Sequence, residues 1–167
     1  MKGQFRTVES FDAVDWPAVR ESNRVAPQLF SLWTAKLVSG FNVTNKMGIH
    51  WGISDSPTCS CCKGMVESSA HHSVFPHKDR VALWHHDLSS LISWMQNAHT
   101  STPLIQAFSK FLFFRGTVTF QSCCPCPETL AFAREVDSIG FGNITWGRLP
   151  LAMTRYQDDL FRNAASR

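Results

Sequence analysis

Two things are scarce in this sequence: an excess of charge of one sign and long apolar runs. The chain has 16 Lys and Arg against 13 Asp and Glu, which gives a net charge of +3. Nucleic-acid-binding modules usually carry denser basic patches than this small excess provides. No apolar run approaches the roughly 20 residues needed to cross a bilayer, and the N-terminus lacks a secretory apolar segment. We therefore expect an intracellular protein, cytoplasmic or nuclear, with no membrane partner.

Motifs for catalysis are also missing. The sequence has no Gly-rich phosphate loop, no Gly-x-Ser-x-Gly elbow and no His-Glu-x-x-His pair. His85, His86 and Asp87 are adjacent in a helical pattern, where neighbouring side chains point about 100° apart and cannot converge on one atom. The Tyr-x-Asp-Asp string at 156–159 lies in another helical pattern rather than in the hairpin that holds such aspartates in polymerases. We therefore predict that the chain is not an enzyme.

Apolar residues at helical spacing predict a mainly α fold. The strongest pattern follows Asp79, a suitable N-cap, and its apolar face comprises Trp84, Leu88, Leu91, Ile92 and Met95. Thr102 is a suitable N-cap for the next helix, which ends near Gly116. Further helical patterns cover residues 27–40, 127–140 and 150–165. The thirteen Phe and six Trp need a core to cover them, and we predict a single domain over residues 1–167.

A loop over residues 59–77, inserted between helices, is the densest group of potential metal ligands. Cys59 and Cys62 have the C-x2-C spacing that lets two thiolates from one turn reach the same tetrahedral ion. His71, His72 and His77 follow closely enough to complete a Cys2His2 set. In a reducing compartment such cysteines favour metal binding over disulfides. We predict a structural zinc site here; the competing interpretation is a surface loop that is rich in Cys and His by chance.

A second cysteine cluster contains Cys123, Cys124 and Cys126, again with C-x2-C spacing. No histidine follows within short reach, so the cluster lacks two ligands of its own. Idle, half-buried thiols are the favoured interpretation, and a shared site with the first cluster is the alternative.

Candidate contacts to nucleic acid surround the first cluster. Lys63, Lys78 and Arg80 flank the loop and are suited to phosphate, and Trp51 precedes it and is suited to stacking on an unpaired base. The other cations are spread thinly along the chain. The alternative is that Trp51 belongs to the core and the basic residues only keep the loop soluble.

The order Cys59, Cys62, Glu67, His71 resembles the zinc-binding segment that follows the reverse transcriptase domain in non-LTR retrotransposons. Weaker similarities, including "WTAKLVSGF", "TSTPLIQAF" and "DSIGFGNITWGRLPLAMTRYQDDLFR", extend the resemblance to related mobile-element reading frames over roughly residues 12 to 162. The resemblance implies a non-catalytic, zinc-knuckle-type module, part of a larger polypeptide, that associates with RNA or DNA.

One position departs from the family pattern. The residue that corresponds to the family's closing Cys is Phe75, which cannot bind a metal. Either His77 has become the fourth ligand, helped by a shift from His71 to His72, or the site has lost a ligand. The competing expectation is therefore a decayed or purely structural helical protein that binds neither metal nor nucleic acid.

Overall fold

The computed structural model of the chain describes residues 7–25, 27–28, 44–68, 71, 74–75 and 77–165. Within these ranges the regular structure is helical, accompanied only by two isolated β-bridges. The predicted mainly α fold is therefore confirmed. The helix predicted over residues 27–40 lies outside the described residues, apart from Pro27 and Gln28.

The described part of the chain contains the following α-helices: α1 (Val8–Asp12), α2 (Trp16–Val25), α3 (Asn45–His50), α4 (Lys78–Asn97), α5 (Thr102–Phe113), α6 (Pro127–Leu130), α7 (Ala133–Ile139), α8 (Phe141–Thr145) and α9 (Leu151–Ala165). A 3-10 helix spans Gln121–Cys123. Across these same ranges, none of the helices has the length and apolar character required of a membrane span.

Internal contacts divide the chain into two compact units. The larger unit comprises residues 1–19 and 85–167, and the smaller unit comprises residues 20–84. The first cysteine cluster and His71 belong to the smaller unit, whereas the second cysteine cluster belongs to the larger one. The single domain expected from the sequence stays a prediction.

The core of the larger unit is built around α5. Its N-cap is Ser101, whose hydroxyl accepts a hydrogen bond from the Leu104 N–H, and Pro103 occupies the first turn where it costs no backbone hydrogen bond. One face of α5 is buried and comprises Leu104, Ala107, Phe108, Phe111 and Leu112. The Phe111 ring meets the rings of Phe120 and Phe141 edge-on at 5.4 and 5.5 Å. This aromatic packing brings three of the thirteen phenylalanine rings into contact.

The two ends of the larger unit's sequence meet at an isolated bridge between Val14 and Pro150. Beside it, the Arg148 side chain is buried and lies over the rings of Trp146 and Trp16, 5.4 and 6.0 Å from their centroids. Its guanidinium donates a hydrogen bond to the side-chain oxygen of Asn143. A cation packed between aromatic faces and hydrogen-bonded is one that a core can accommodate.

In the smaller unit, the short helix α3 supports the chain segment that carries the first cysteine pair. The Thr44 hydroxyl caps α3 by accepting from the Met47 N–H at 3.3 Å. The Asn45 side chain then donates to the Thr58 carbonyl at 2.8 Å, and the Lys46 N–H donates to the Glu67 carbonyl at 3.3 Å. These bonds tie α3 to both arms of the turn that contains the cysteines.

Candidate metal centre

The first cysteine pair lies on a tight, hairpin-like turn. Thr58 and Val66 form an antiparallel bridge, and the Glu67 N–H donates to the Pro57 carbonyl at 2.8 Å. Between the two arms, the Cys59 N–H donates to the Met65 carbonyl at 2.9 Å. The turn therefore brings the chain back on itself directly after Cys62, as the C-x2-C spacing predicts for a metal-binding turn.

Backbone groups of this turn favour a negative charge on the Cys62 sulfur. Hydrogen bonding from the backbone of Gly64 is the main cause that lowers the pKa of the Cys62 thiol, and Met65 and Cys59 add to it, while partial burial acts in the opposite direction. Lys63 adopts a positive φ of 52°, and its N–H donates to the Cys59 carbonyl at 2.9 Å. Lys63, in the left-handed region, turns the amides that follow it toward the Cys62 sulfur. These amides favour the thiolate, which is the form of cysteine that binds metal.

His71 approaches the cysteine pair from the other side. Its Nε2 atom lies 3.5 Å from the Cys62 Sγ atom, and one ligand atom from each of Cys59, Cys62 and His71 lies within 4.8 Å of the other two. With Zn–S and Zn–N bonds of about 2.3 and 2.05 Å, a tetrahedral ion separates S and N by about 3.6 Å. The three residues therefore lie close enough to hold one metal ion.

The cluster is mostly removed from solvent. Cys59 and His71 are buried, with 5% and 3% of their surface exposed, and Cys62 is half-buried. The His71 backbone is helical, and its N–H donates to the Ser68 hydroxyl at 3.2 Å. The Nδ1 atom of this ring has no hydrogen-bond partner within the described residues. A buried polar nitrogen without a partner is costly. The other ring nitrogen, Nε2, lies against the Cys62 sulfur and is the atom that would bind a cation.

His77, another of the predicted ligands, does not join this group. His77 is exposed; its ring stacks on Phe75 with centroids 6.0 Å apart, and its Nδ1 atom lies 3.7 Å from the Asp79 carboxylate. His72 lies outside the described residues. Phe75, at the position of the family's closing Cys, is buried and packs edge-on against the His71 ring at 5.0 Å. Among the described residues, three ligands meet rather than four.

The second cysteine cluster has a different environment. The Cys123 Sγ atom donates to the Thr119 carbonyl at 3.5 Å, and the Cys124 Sγ atom donates to the Phe120 carbonyl at 3.4 Å. Burial raises the pKa of both thiols. In the part of the chain that the structure describes, no histidine or carboxylate joins these cysteines as a metal-binding group. The thiols of Cys123 and Cys124 thus act as hydrogen-bond donors, and the interpretation of this cluster as idle thiols stays a prediction.

The residues predicted to contact nucleic acid are all at the surface. Trp51 is the C-cap of α3 and is 43% exposed, which argues against a core position. Lys63, Lys78 and Arg80 are exposed as well. The structure therefore leaves each of the four accessible to a partner.

The residues set aside as non-catalytic lie on helices. The His85 ring packs against Phe113 at 4.8 Å, while His86 and Asp87 are exposed on α4. Asp158 and Asp159 are exposed on α9.

The sequence interpretation missed Ser68, whose hydroxyl accepts a hydrogen bond from the backbone N–H of His71. A Ser three residues before a helical residue is a recognisable capping signal and would have identified it.

Comparison with family models, with curated proteins and with solved structures finds no match to this chain. The resemblance to the retrotransposon zinc-binding segment therefore stays a prediction that rests on Cys59, Cys62, Glu67 and His71.

Proposed function

We propose that this chain is a zinc-binding module in which Cys59, Cys62 and His71 hold the ion. The observation that carries the proposal is the meeting of these three side chains within 4.8 Å. Two thiolates and an imidazole are a donor set that zinc favours over magnesium or calcium, which prefer oxygen. The role of the ion is architectural, because it joins the cysteine turn to the segment around His71.

Metal content tests this proposal directly. Protein purified without chelator is expected to contain about one equivalent of zinc by atomic emission spectroscopy, and a Cys59→Ser/Cys62→Ser variant is expected to contain almost none. The matched control is Cys123→Ser/Cys126→Ser, which removes two cysteines with the same C-x2-C spacing. This variant should retain the metal. Zinc-free wild-type protein that also fails to bind added zinc would support a decayed or purely structural role.

We further propose that the zinc-bound segment associates with single-stranded nucleic acid. Exposed Lys63, Lys78 and Arg80 supply cations for phosphate, and exposed Trp51 supplies a surface for base stacking. The similarity of the Cys/His order to the retrotransposon segment supports the same partner class. The module is then a non-catalytic part of a retroelement-derived polypeptide.

Salt dependence tests the association. Binding of a labelled oligonucleotide should weaken linearly with the logarithm of salt concentration, and Lys78→Ala should reduce that slope by about 1. Arg155→Ala removes an exposed cation of the larger unit and should leave the slope unchanged. RNA and DNA oligonucleotides of one sequence compared side by side identify the preferred polymer. No binding at low salt would contradict this proposal without affecting the metal site.

A further inference from the structure

The donor count leaves one position of a tetrahedral ion to be filled. Zinc in structural sites takes four protein ligands, whereas zinc with three protein ligands keeps a position for water or another small molecule. Cys59, Cys62 and His71 supply three, and no fourth Cys, His, Asp or Glu within the described ranges lies close enough to join them. Phe75, buried against the His71 ring, has no donor atom.

A cavity borders the cluster on the side of Cys59 and His71. Its volume is about 90 Å³, which is enough to hold water. The remaining walls are formed by Ser60, Cys61, Glu67, Phe75 and Arg80. Glu67 contributes an acidic side chain to the walls and Arg80 a basic one, whereas Phe75 contributes an apolar ring. This space is large enough for a small ligand such as a monodentate anion.

We infer that the bound metal keeps one coordination position open toward this cavity, where it holds an exchangeable water that a small monodentate anion can replace. This inference rests on the proposed metal site. It changes the character of that site, because an ion with an exchangeable ligand can bind or sense a small molecule, whereas a fully protein-ligated ion only holds the fold.

Cobalt substitution with azide as the probe tests the inference. Co(II) in a site with thiolate ligands shows sulfur-to-metal charge-transfer bands and visible d–d bands that depend on every ligand of the ion. Addition of azide is expected to shift the d–d bands saturably while the charge-transfer bands persist. If the charge-transfer bands are present but azide does not shift the d–d bands, the inference of an open coordination position is wrong and the proposed metal site is unaffected. Absence of any charge-transfer band would overturn both.

Protein side chains that could fill the position are tested one at a time. Cys61→Ser, Glu67→Gln, His72→Ala and His77→Ala are each expected to leave the Co(II) spectrum before addition of azide unchanged. A changed spectrum before azide in any of the four would identify a fourth protein ligand and overturn the inference.

A variant that closes the position provides the converse test. Phe75→Cys places a thiol beside the His71 ring and at the wall of the cavity. It is expected to intensify the sulfur-to-metal charge-transfer band and to abolish the azide response. Phe75→His supplies an imidazole at the same place should the first variant fold poorly. An azide response that survives in a folded, metal-loaded form of either variant would place the exchangeable ligand elsewhere and contradict the inference.

Discussion

Two cysteine pairs in this chain share the C-x2-C spacing, but their sulfur atoms differ in the hydrogen bonds they make and in the pKa of their thiols. At Cys62, backbone amides donate toward the sulfur and lower the pKa of the thiol. At Cys123 and Cys124, the thiols donate to carbonyl oxygens, and burial raises their pKa. The first environment favours a thiolate, which binds metal, and the second favours the neutral thiol.

The contrast shows that C-x2-C spacing alone does not produce an environment that favours a thiolate. The turn after Cys62 contains Lys63 in the left-handed region, which aims the following amides at the sulfur. The turn at 123–126 has no residue with positive φ. Cys123 ends a 3-10 helix, Cys124 follows it, and their thiols donate to the carbonyls of Thr119 and Phe120, which precede that helix. Among the described residues, a third donor, His71, is present at the first pair and none joins the second.

The largest effect is expected from removal of that third donor. His71→Ala should weaken Zn(II) binding by more than about 100-fold, because loss of a direct ligand costs more than loss of a group behind it. Competition with a chromophoric chelator measures the affinity. The matched control is His77→Ala, an exposed imidazole of the same segment, which should change the affinity little. Equal losses in both variants would mean that the ion lies elsewhere in the loop.

Zinc should stabilise one cysteine region and not the other. At free zinc 100 times its Kd, the free energy of unfolding is expected to rise by about 2.7 kcal/mol through mass action. Urea unfolding at constant pH measures the gain. The Cys123→Ser/Cys126→Ser variant should show the same gain and Cys59→Ser/Cys62→Ser none. Hydrogen exchange should locate the added protection in residues 57–71, and protection confined to 119–130 would reverse the comparison.

The left-handed residue of the first turn gives a smaller effect. Lys63→Gly should be more stable than Lys63→Val by about 1–2 kcal/mol, because glycine adopts positive φ without strain and a β-branched residue does not. Urea unfolding of the metal-free proteins measures the difference. An equal stability of the two variants would show that the turn does not keep its positive φ without metal.

The smallest effect concerns the reactivity of the second cluster. Because burial raises the pKa of Cys123 and Cys124 above the value in the unfolded chain, their neutral forms stabilise the fold at low pH. That contribution is lost as pH rises through the folded-state pKa. The midpoint pH of alkylation, followed by mass spectrometry, should be higher for these two thiols in native protein than in urea. Identical midpoints would show that the thiols are not protected as described.

Much of the helical architecture could be predicted from the sequence, but the helix boundaries could not. The helix expected after Thr102 forms, with Ser101 rather than Thr102 as its N-cap. Asp79 was expected to cap α4 and lies instead within its first turn. Apolar periodicity reports which face is buried over several turns, whereas a boundary depends on one hydrogen bond that neighbouring hydroxyls or carboxylates can supply equally well.

The burial of Arg148 shows a second limit. From the sequence it counts as one of the thinly spread cations, yet it lies between Trp16 and Trp146 in the larger unit. No local pattern links residues that are so far apart along the chain. The bridge between Val14 and Pro150 and the backbone hydrogen bonds beside it bring them to the same place.

Apolar periodicity and residue spacing predict a helical protein with two cysteine pairs, only one of which has histidines within short reach. Packing determines which donors meet: His71 faces the sulfurs of Cys59 and Cys62, while Phe75, at the position of the family's closing Cys, contributes no donor atom. The physical reason is that ligand type and spacing are local properties. The direction of a hydrogen bond, the burial of a sulfur and the approach of an imidazole depend on how segments apart in the chain pack together.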